Sequence, residues 1–326
     1  MKEELKIIIP VAGEGARMRP HTYSVPKPLI PVAGKEVLAH VIEPLIPLYP
    51  QEIVFVIGHL GEQIVEYVKK NYNFRASFVL QKKLLGLGYA IHLGLEKIDS
   101  GPVLIILGDT IARTDFVEFV RQDKNVIGVK PVKDPRRFGV AVLENGQITG
   151  VEEKPQNPKS DLALIGLYYF EKIDLLKKEL SLLVSGGKKT NGEIQLTDAL
   201  ASMLAEGETF SPFVVDGWYD CGKRDAFLET NRVLLAETKE INDYPGTIII
   251  PPVSISASAV VEESIIGPYV SISEGVRIHR SIIRDSIVCK NAVIEFSMVE
   301  ASIVGEKAAV RGRYSHINLG DSGEIG

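Results

Sequence analysis

The sequence predicts an α/β protein in two parts, a doubly wound mixed sheet over residues 1–240 and a parallel β-solenoid over 247–326. Three observations predict it. Short, continuous β-branched runs alternate with helical patterns through the first part. After Ile241-Asn242-Asp243-Tyr244-Pro245-Gly246 the spacing of apolar residues changes. At 326 residues the chain also exceeds the size at which one hydrophobic core keeps growing, so two domains are expected, one much the larger.

In the first part, residues 6–11, 52–57 and 103–107 read as buried parallel strands, because their apolar runs lack polar alternation. Residues 61–70 and 88–98 carry apolar side chains at helical spacing. That alternation gives an open sheet covered on both faces, with ligands at the carboxyl ends of its strands. Residues 140–151, folded about Asn145-Gly146, read as a hairpin beside the main sheet.

From residue 247 onward no helical pattern is evident. Apolar residues recur at steps of six or five from Ile255 through Val261, Ile266, Ile272, Ile278 and Ile283 to Val310. Two positions before most of them stands a small or β-branched residue, as at Ala259, Ser264, Val270, Ser281 and Ser286. Three steps make one triangular turn whose inward residues stack rung on rung. The pattern resembles the left-handed parallel β-helix of hexapeptide-repeat proteins.

Composition narrows the function. Hydrophobic residues are 45% and charged residues 24%, an ordinary globular balance. A net charge of −5 offers no general attraction to nucleic acid or to an anionic membrane, so neither is an expected partner. A small anionic substrate would need a local basic pocket. Cys221 and Cys289 have no zinc or disulfide spacing, which suits a reducing cytoplasm. The amino-terminal apolar run is too short and too acidic at its flanks for a signal peptide, and no run approaches ~18 apolar residues.

The chemistry begins at Val11-Ala12-Gly13-Glu14-Gly15-Ala16-Arg17-Met18-Arg19-Pro20, directly after the first strand. Glycines there let the backbone approach a triphosphate, and Arg17 can neutralise its oxygens. A dinucleotide fingerprint would need a third glycine where Met18 stands, and a Walker loop would need G-K-S/T, so both fail. Pro26-Lys27-Pro28 then holds one ammonium on a stiffened segment, as a phosphate clamp requires.

Together these motifs resemble the signature of the sugar-1-phosphate nucleotidyltransferase family, A-G-x-G-x-R-M/L followed by P-K-P. Ala16 departs from it, standing where the family usually has a hydroxyl residue. Gln81 with Gly86-Leu87-Gly88-Tyr89-Ala90 resembles the family's nucleotide-base element. A glutamine amide pairs with uracil or thymine, although adenine's edge could also accept it. Asp109, in Leu107-Gly108-Asp109, and Asp220, in Gly217-Trp218-Tyr219-Asp220-Cys221-Gly222, match the positions that hold Mg²⁺ in the family. Phe138-Gly139-Val140, Glu152-Glu153-Lys154-Pro155 and Gly166-Leu167-Tyr168 follow in the family's order for the sugar-phosphate pocket. The resemblance implies that Gly139 leaves room for the ring, Glu153 accepts from sugar hydroxyls and Lys154 neutralises the phosphate.

Glu193, in Asn191-Gly192-Glu193-Ile194-Gln195-Leu196-Thr197-Asp198, is implied to reach the sugar, while Thr197 or Asp198 is expected to cap a helix. The expected sets are therefore Arg17 and Lys27 for catalysis, Asp109 and Asp220 for Mg²⁺, Ala12, Gly13, Gly15, Gln81 and Gly86 for the nucleotide, and Gly139, Glu153, Lys154, Tyr168 and Glu193 for the sugar phosphate. The implied fold is the Rossmann-like nucleotide-diphospho-sugar transferase type followed by a left-handed β-helix that builds a homo-oligomer.

The implied reaction joins a nucleoside triphosphate, dTTP or UTP favoured, to a sugar 1-phosphate, glucose 1-phosphate favoured, and releases pyrophosphate. Mannose 1-phosphate with GTP and N-acetylglucosamine 1-phosphate with UTP are the alternatives. A non-catalytic sugar-nucleotide-binding subunit would be expected to lose part of the charged set, which is complete here. An acyltransferase solenoid is disfavoured, because the repeats make about three and a half turns and His279 and His316 lack a supporting motif.

Overall fold

The computed structural model describes residues 4–122, 124–187, 189–238 and 244–312. The chain forms two compact units, Met1–Ile30 with Glu36–Lys223, and Pro31–Lys35 with Arg224–Gly326.

The larger unit is built on a nine-stranded mixed sheet. Its strands are β1 (Lys6–Pro10), β2 (Glu52–Ile57), β3 (Ala76–Leu80), β4 (Val103–Ile106), β6 (Val126–Pro131), β7 (Gly139–Glu144), β8 (Gln147–Glu153), β9 (Leu162–Phe170) and β10 (Ser211–Val214); β5 (Thr110–Arg113) and β11 (Gly217–Asp220) pair apart from it. Parallel pairing joins β3 to β2, β2 to β1 and β1 to β4. The expected strands are there, with ends within one residue of those read from the sequence.

Burial on both faces explains their uniform hydrophobicity. Ile8, Val54, Val56, Val103 and Ile105 enter one core with α3 (Leu87–Leu95), α5 (Asp174–Gly186) and α6 (Leu196–Ala205). The alternate residues Ile7, Ile9, Ile53, Phe55, Leu104 and Ile106 enter a second core, with α1 (Val37–Ile42), α2 (Gly61–Asn71) and α4 (Phe116–Val120). Side chains of a strand alternate between faces, so a strand covered on both must be apolar throughout.

The hairpin β7–β8 turns at Asn145 and Gly146, both with positive φ, as a two-residue loop of the favoured hand requires. It is part of the main sheet rather than set beside it, because Val140 pairs with Ala163 of the long strand β9.

In the smaller unit, three four-stranded parallel sheets form the left-handed β-helix that the repeats predict. One sheet places Ile249, Ile266, Ile283 and Val299 in register, the next Ile255, Ile272, Val288 and Val304, and the third Val261, Ile278, Ile294 and Val310. These stacks make the unit's core. The serines two positions earlier have a structural task. Ser264 Oγ donates to the Glu262 carbonyl at 2.7 Å and accepts from Ser281 N at 3.1 Å; Ser281 Oγ does the same toward His279 and Ser297 N. Each serine thus bonds its own rung and the next, which keeps a buried hydroxyl satisfied. His316 lies outside the described residues.

The helix α7 (Arg224–Leu235) belongs to this unit, so the division falls after Lys223 rather than near residue 240. The reason is Asn231, which is fully buried. Its Oδ1 accepts from Ala33 N at 2.9 Å and Ser271 Oγ at 2.6 Å, and its Nδ2 donates to the Tyr269 carbonyl at 3.1 Å. Arg232 adds a two-pronged bond to Asp285 at 2.6 and 2.5 Å.

Replacing Asn231 by alanine would leave Ala33 N and Ser271 Oγ without this acceptor, at about 1–3 kcal/mol each when unsatisfied, while the Tyr269 carbonyl keeps Ser286 N at 3.2 Å. Asn231→Ala is expected to lower the thermal midpoint clearly, and Asn231→Asp, which cannot donate to Tyr269, to lower it as well. Calorimetry of the three proteins checks this; unchanged midpoints would show that the helix is held by other contacts.

Candidate active site

Strand order reverses at β1, whose neighbours are β2 on one side and β4 on the other. Loops leaving the carboxyl ends of such strands diverge and open a crevice. Here the crevice is a cavity of about 730 Å³, walled by both loops.

The loop after β1 supplies Ala12, Gly13 and Arg17 to the wall. Gly15 lies behind it. Its φ of 63° is left-handed, and a Cβ there would stand 2.9 Å from Thr22 Cγ2 and 3.1 Å from Lys27 Cβ. Its carbonyl accepts from Thr22 Oγ1 at 2.9 Å and Met18 N at 2.8 Å. Gly15 therefore shapes the loop and lets the Lys27 segment come close, and it does not itself line the cavity. Lys27 begins a single 3₁₀ turn, Lys27–Leu29, entered through Pro26 at φ −65°.

Beyond β4, Asp109 stands at the cavity and is ion-paired with the Lys27 ammonium. The antiparallel pairing of β11 with β5 sets Asp220 opposite Thr110, and Cys221 N donates to the Asp109 carbonyl at 3.0 Å. The two acids thereby become neighbours although they stand 111 positions apart in the sequence. Burial pushes the Asp109 carboxyl up, but Lys27, and then Arg17, outweigh it and hold the group below its ordinary 3.8. Asp220 moves the other way, raised by burial and by the Asp109 charge, with Lys27 and Arg17 opposing.

The opposite wall carries the hairpin. Gly139 pairs with Glu153 across it, and Lys154 N donates to the Phe138 carbonyl at 3.0 Å. A Cβ on Gly139 would meet Leu164 Cδ1 at 2.9 Å and Thr197 Cγ2 at 3.1 Å, so any larger residue would fill this end of the cavity. Glu153 Oε1 is 3.1 Å from the Lys154 ammonium, and Oε2 accepts from Thr197 Oγ1 at 3.1 Å. Neither Thr197 nor Asp198 caps the helix: the N-cap is Gln195, Thr197 turns to Glu153, and Asp198 accepts from Thr190 Oγ1 at 3.0 Å. Tyr168 is buried, and burial with the Glu153 charge pushes its phenol up, so it stays a neutral donor.

At the third side, Gln81 is buried with its N–H bonded to the Ile57 carbonyl at 2.8 Å. Gly86 has φ 111°, and a Cβ would lie 2.6 Å from the Ile194 carbonyl, which accepts from Gly88 N at 2.9 Å. That close approach brings Glu193 to the same wall.

Apart from Gly15, every residue expected at the site lines this one cavity. Sequence reasoning passed over Arg137, Gln195 and Thr110, which line it too. Arg137 could have been found from its place beside Phe138-Gly139; Gln195 and Thr110 carried no signal of their own.

Among the described residues, no group of three or more His, Cys, Asp or Glu side chains is placed to hold a metal. The Asp109–Asp220 pair nevertheless suits a hard divalent cation. Two hard oxygen donors face one another's charge, a repulsion that such a cation relieves, and Mg²⁺ commonly takes one or two carboxylates and fills its remaining positions with water and phosphate oxygens.

A crevice at a strand-order reversal, with a glycine-rich loop, several cations and a carboxylate pair, defines an enzyme that works on phosphates. The chain belongs to the nucleotidyl transferase family, whose model matches residues 6–237. It is 30% identical to a glucose-1-phosphate thymidylyltransferase of Streptomyces griseus, over 94% of this chain and 93% of that protein. It is 33% identical to the bifunctional protein GlmU of Methanocaldococcus jannaschii, over 92% of this chain and 77% of that one. A solved structure of a UDP-glucose pyrophosphorylase complexed with UDP-glucose shares the fold, with a TM-score of 0.63 at 24% identity, over 72% of this chain and all of that chain (100%).

The low Asp109 carboxyl contributes stability that is present above pH 3.8 and is lost as pH falls through the lower folded value. Lys27→Ala removes the main cause of that depression. In chelator-treated protein its destabilisation is expected to be largest near neutral pH and to shrink below pH 3.8. Denaturant titrations of both proteins across this range check it, and a difference that does not vary with pH would separate Lys27 from the Asp109 titration.

Proposed function

We propose that the protein transfers a nucleotidyl group from a nucleoside triphosphate to a sugar 1-phosphate, with Mg²⁺, releasing pyrophosphate. The observation that carries this is the gathering of Arg17, Lys27, Asp109, Asp220, Glu153 and Lys154 around one cavity. In the reaction a phosphate oxygen of the sugar 1-phosphate forms a bond to the α-phosphorus, and the bond from that phosphorus to the bridging oxygen of the β-phosphate breaks. The nucleophile is already an anion, so no general base is required. The work left to the chain is to hold two mutually repelling polyanions in line and to neutralise charge as it moves.

Arg17 and Lys27 hold the triphosphate, and Lys27, paired with Asp109 in the free chain, gains a phosphate oxygen as a further partner. Lys154 neutralises the sugar phosphate, and Glu153, fixed by Thr197, accepts from sugar hydroxyls. Asp109 and Asp220 would hold Mg²⁺, which would supply positive charge to offset the negative charge of the phosphates. Gln81 with Gly86 favours dTTP or UTP, and the sugar side favours glucose 1-phosphate, in keeping with the name of the Streptomyces relative. N-acetylglucosamine 1-phosphate with UTP and mannose 1-phosphate with GTP stay the alternatives. A purely binding role is disfavoured by the complete charged set. The partners are small anions, the setting a reducing cytoplasm in keeping with two buried cysteines outside any disulfide, and the β-helix the site of self-association.

Pyrophosphate release from a matrix of sugar 1-phosphates and triphosphates is expected to peak for glucose 1-phosphate with dTTP or UTP. Lys27→Ala is expected to cut kcat/KM by about 10²-fold or more, as for loss of a preorganised charge at a reacting phosphate. Near-normal turnover in that variant would remove Lys27 from the reaction. No release from any pair would leave only the binding role.

A further inference from the structure

Four cations line the cavity: Arg17, Lys27, Arg137 and Lys154. Two are already committed within the chain, Lys27 to Asp109 and Lys154 to Glu153. On the sugar side, then, Lys154 and Glu153 form a pair of no net charge, and an incoming sugar phosphate meets little excess positive potential from them.

Arg137 is differently placed. It ends the 3₁₀ turn Pro135–Arg137, next to Arg136. Asp134, the acid at the head of that turn, gives one oxygen to Arg136 Nε at 2.7 Å and the other to Arg136 Nη2 at 2.9 Å. Arg137 adds only its field to Asp134, whose carboxyl is held low first by the Arg136 bond. Among the described residues Arg137 forms no ion pair. Its guanidinium carbon sits 5.7 Å from the centre of the Phe138 ring, a contact that steadies a planar cation. Phe138 in turn stands edge-on to Trp218 at 4.8 Å, and its carbonyl takes the Lys154 N–H. One short segment therefore holds the free guanidinium against the Phe138 ring and ties the Phe138 backbone to that of the committed lysine, with Arg137 and Lys154 lining the same cavity.

The geometry points to Arg137 as a binding residue for the phosphate of the sugar 1-phosphate, supplying the uncompensated positive charge that the Glu153–Lys154 pair lacks. A guanidinium suits this task because it can present two parallel donors to phosphate oxygens. The assignment rests on the nucleotidyl-transfer reading of the cavity.

Pyrophosphate release is measured for the wild type, Arg137→Ala and Arg137→Lys, varying each substrate in turn, with the sugar 1-phosphate and triphosphate that the wild type uses best. Arg137→Ala is expected to raise KM for the sugar 1-phosphate about tenfold, the loss of one charge-assisted contact, with KM for the triphosphate unchanged. Arg137→Lys is expected to recover part of the loss. The unphosphorylated sugar, used as a competitive inhibitor, is expected to inhibit wild type and Arg137→Ala equally, because the guanidinium reads the phosphate and not the ring. Arg136→Ala, which disturbs the same turn, is expected to leave both KM values close to the wild type.

An unchanged KM for the sugar 1-phosphate in Arg137→Ala would overturn the assignment. So would an equal rise in both KM values, or a parallel loss of affinity for the unphosphorylated sugar. A wild type that releases no pyrophosphate from any pair would instead overturn the parent reading and this one with it.

Discussion

The reversal of strand order at β1 is the constraint on which the functional unit depends. Once β2 and β4 flank β1 in parallel, their connections must leave on opposite faces, and the loops beyond β1 and β4 must part. Everything charged at the site is arranged around that gap. The glycine-rich loop follows β1, Asp109 follows β4, and β11 returns to set Asp220 against β5. The apolar strands are rigid because both faces are covered, so the positions of the two loops are set by packing and not by the loops themselves.

Charge within the cavity is ordered by local commitment. Three of the five acids lining the cavity have a countercharge near them: Asp109 has Lys27, Glu153 has Lys154, and Glu14 has Arg19 at 3.1 Å. Asp220 and Glu193 differ: Arg17 and Lys27 only partly offset the burial of Asp220 and its neighbour's charge, and Glu193 accepts from Gln195 Nε2 at 3.3 Å. On the proposed reading, polyanions entering the cavity exchange one set of partners for another, which limits the penalty of desolvation.

Much of this was legible in the sequence, for identifiable reasons. Residues 52–57 announced a doubly covered strand because Ile53, Phe55 and their alternates Val54 and Val56 are all apolar. The solenoid was legible because a periodic core leaves a periodic record, from Ile266 to Ile283 to Val299. Most of the residues that line the cavity were legible through short motifs at strand ends. Less was readable where partners lie far apart in the chain. Nothing near Thr197 marks Glu153 as its partner, and α7 reads as an ordinary amphipathic helix until Asn231 is seen bonded to Ala33, Tyr269 and Ser271. Gly15 was placed with the ligand-facing glycines because sequence shows that a side chain is absent without showing which neighbour needs the space.

The serine column of the solenoid has a consequence for how such a chain can change length. Each rung hands a hydroxyl acceptor to the next rung's backbone and receives nothing from farther away. Its interactions are therefore nearest-neighbour, as in other stacked-repeat proteins. Duplication or loss of one whole coil would preserve every junction, whereas gain or loss of a single residue inside a strand would turn the core-facing side chains outward. The solenoid can thus grow or shrink in evolution by whole coils, as a ruler is extended by its own divisions.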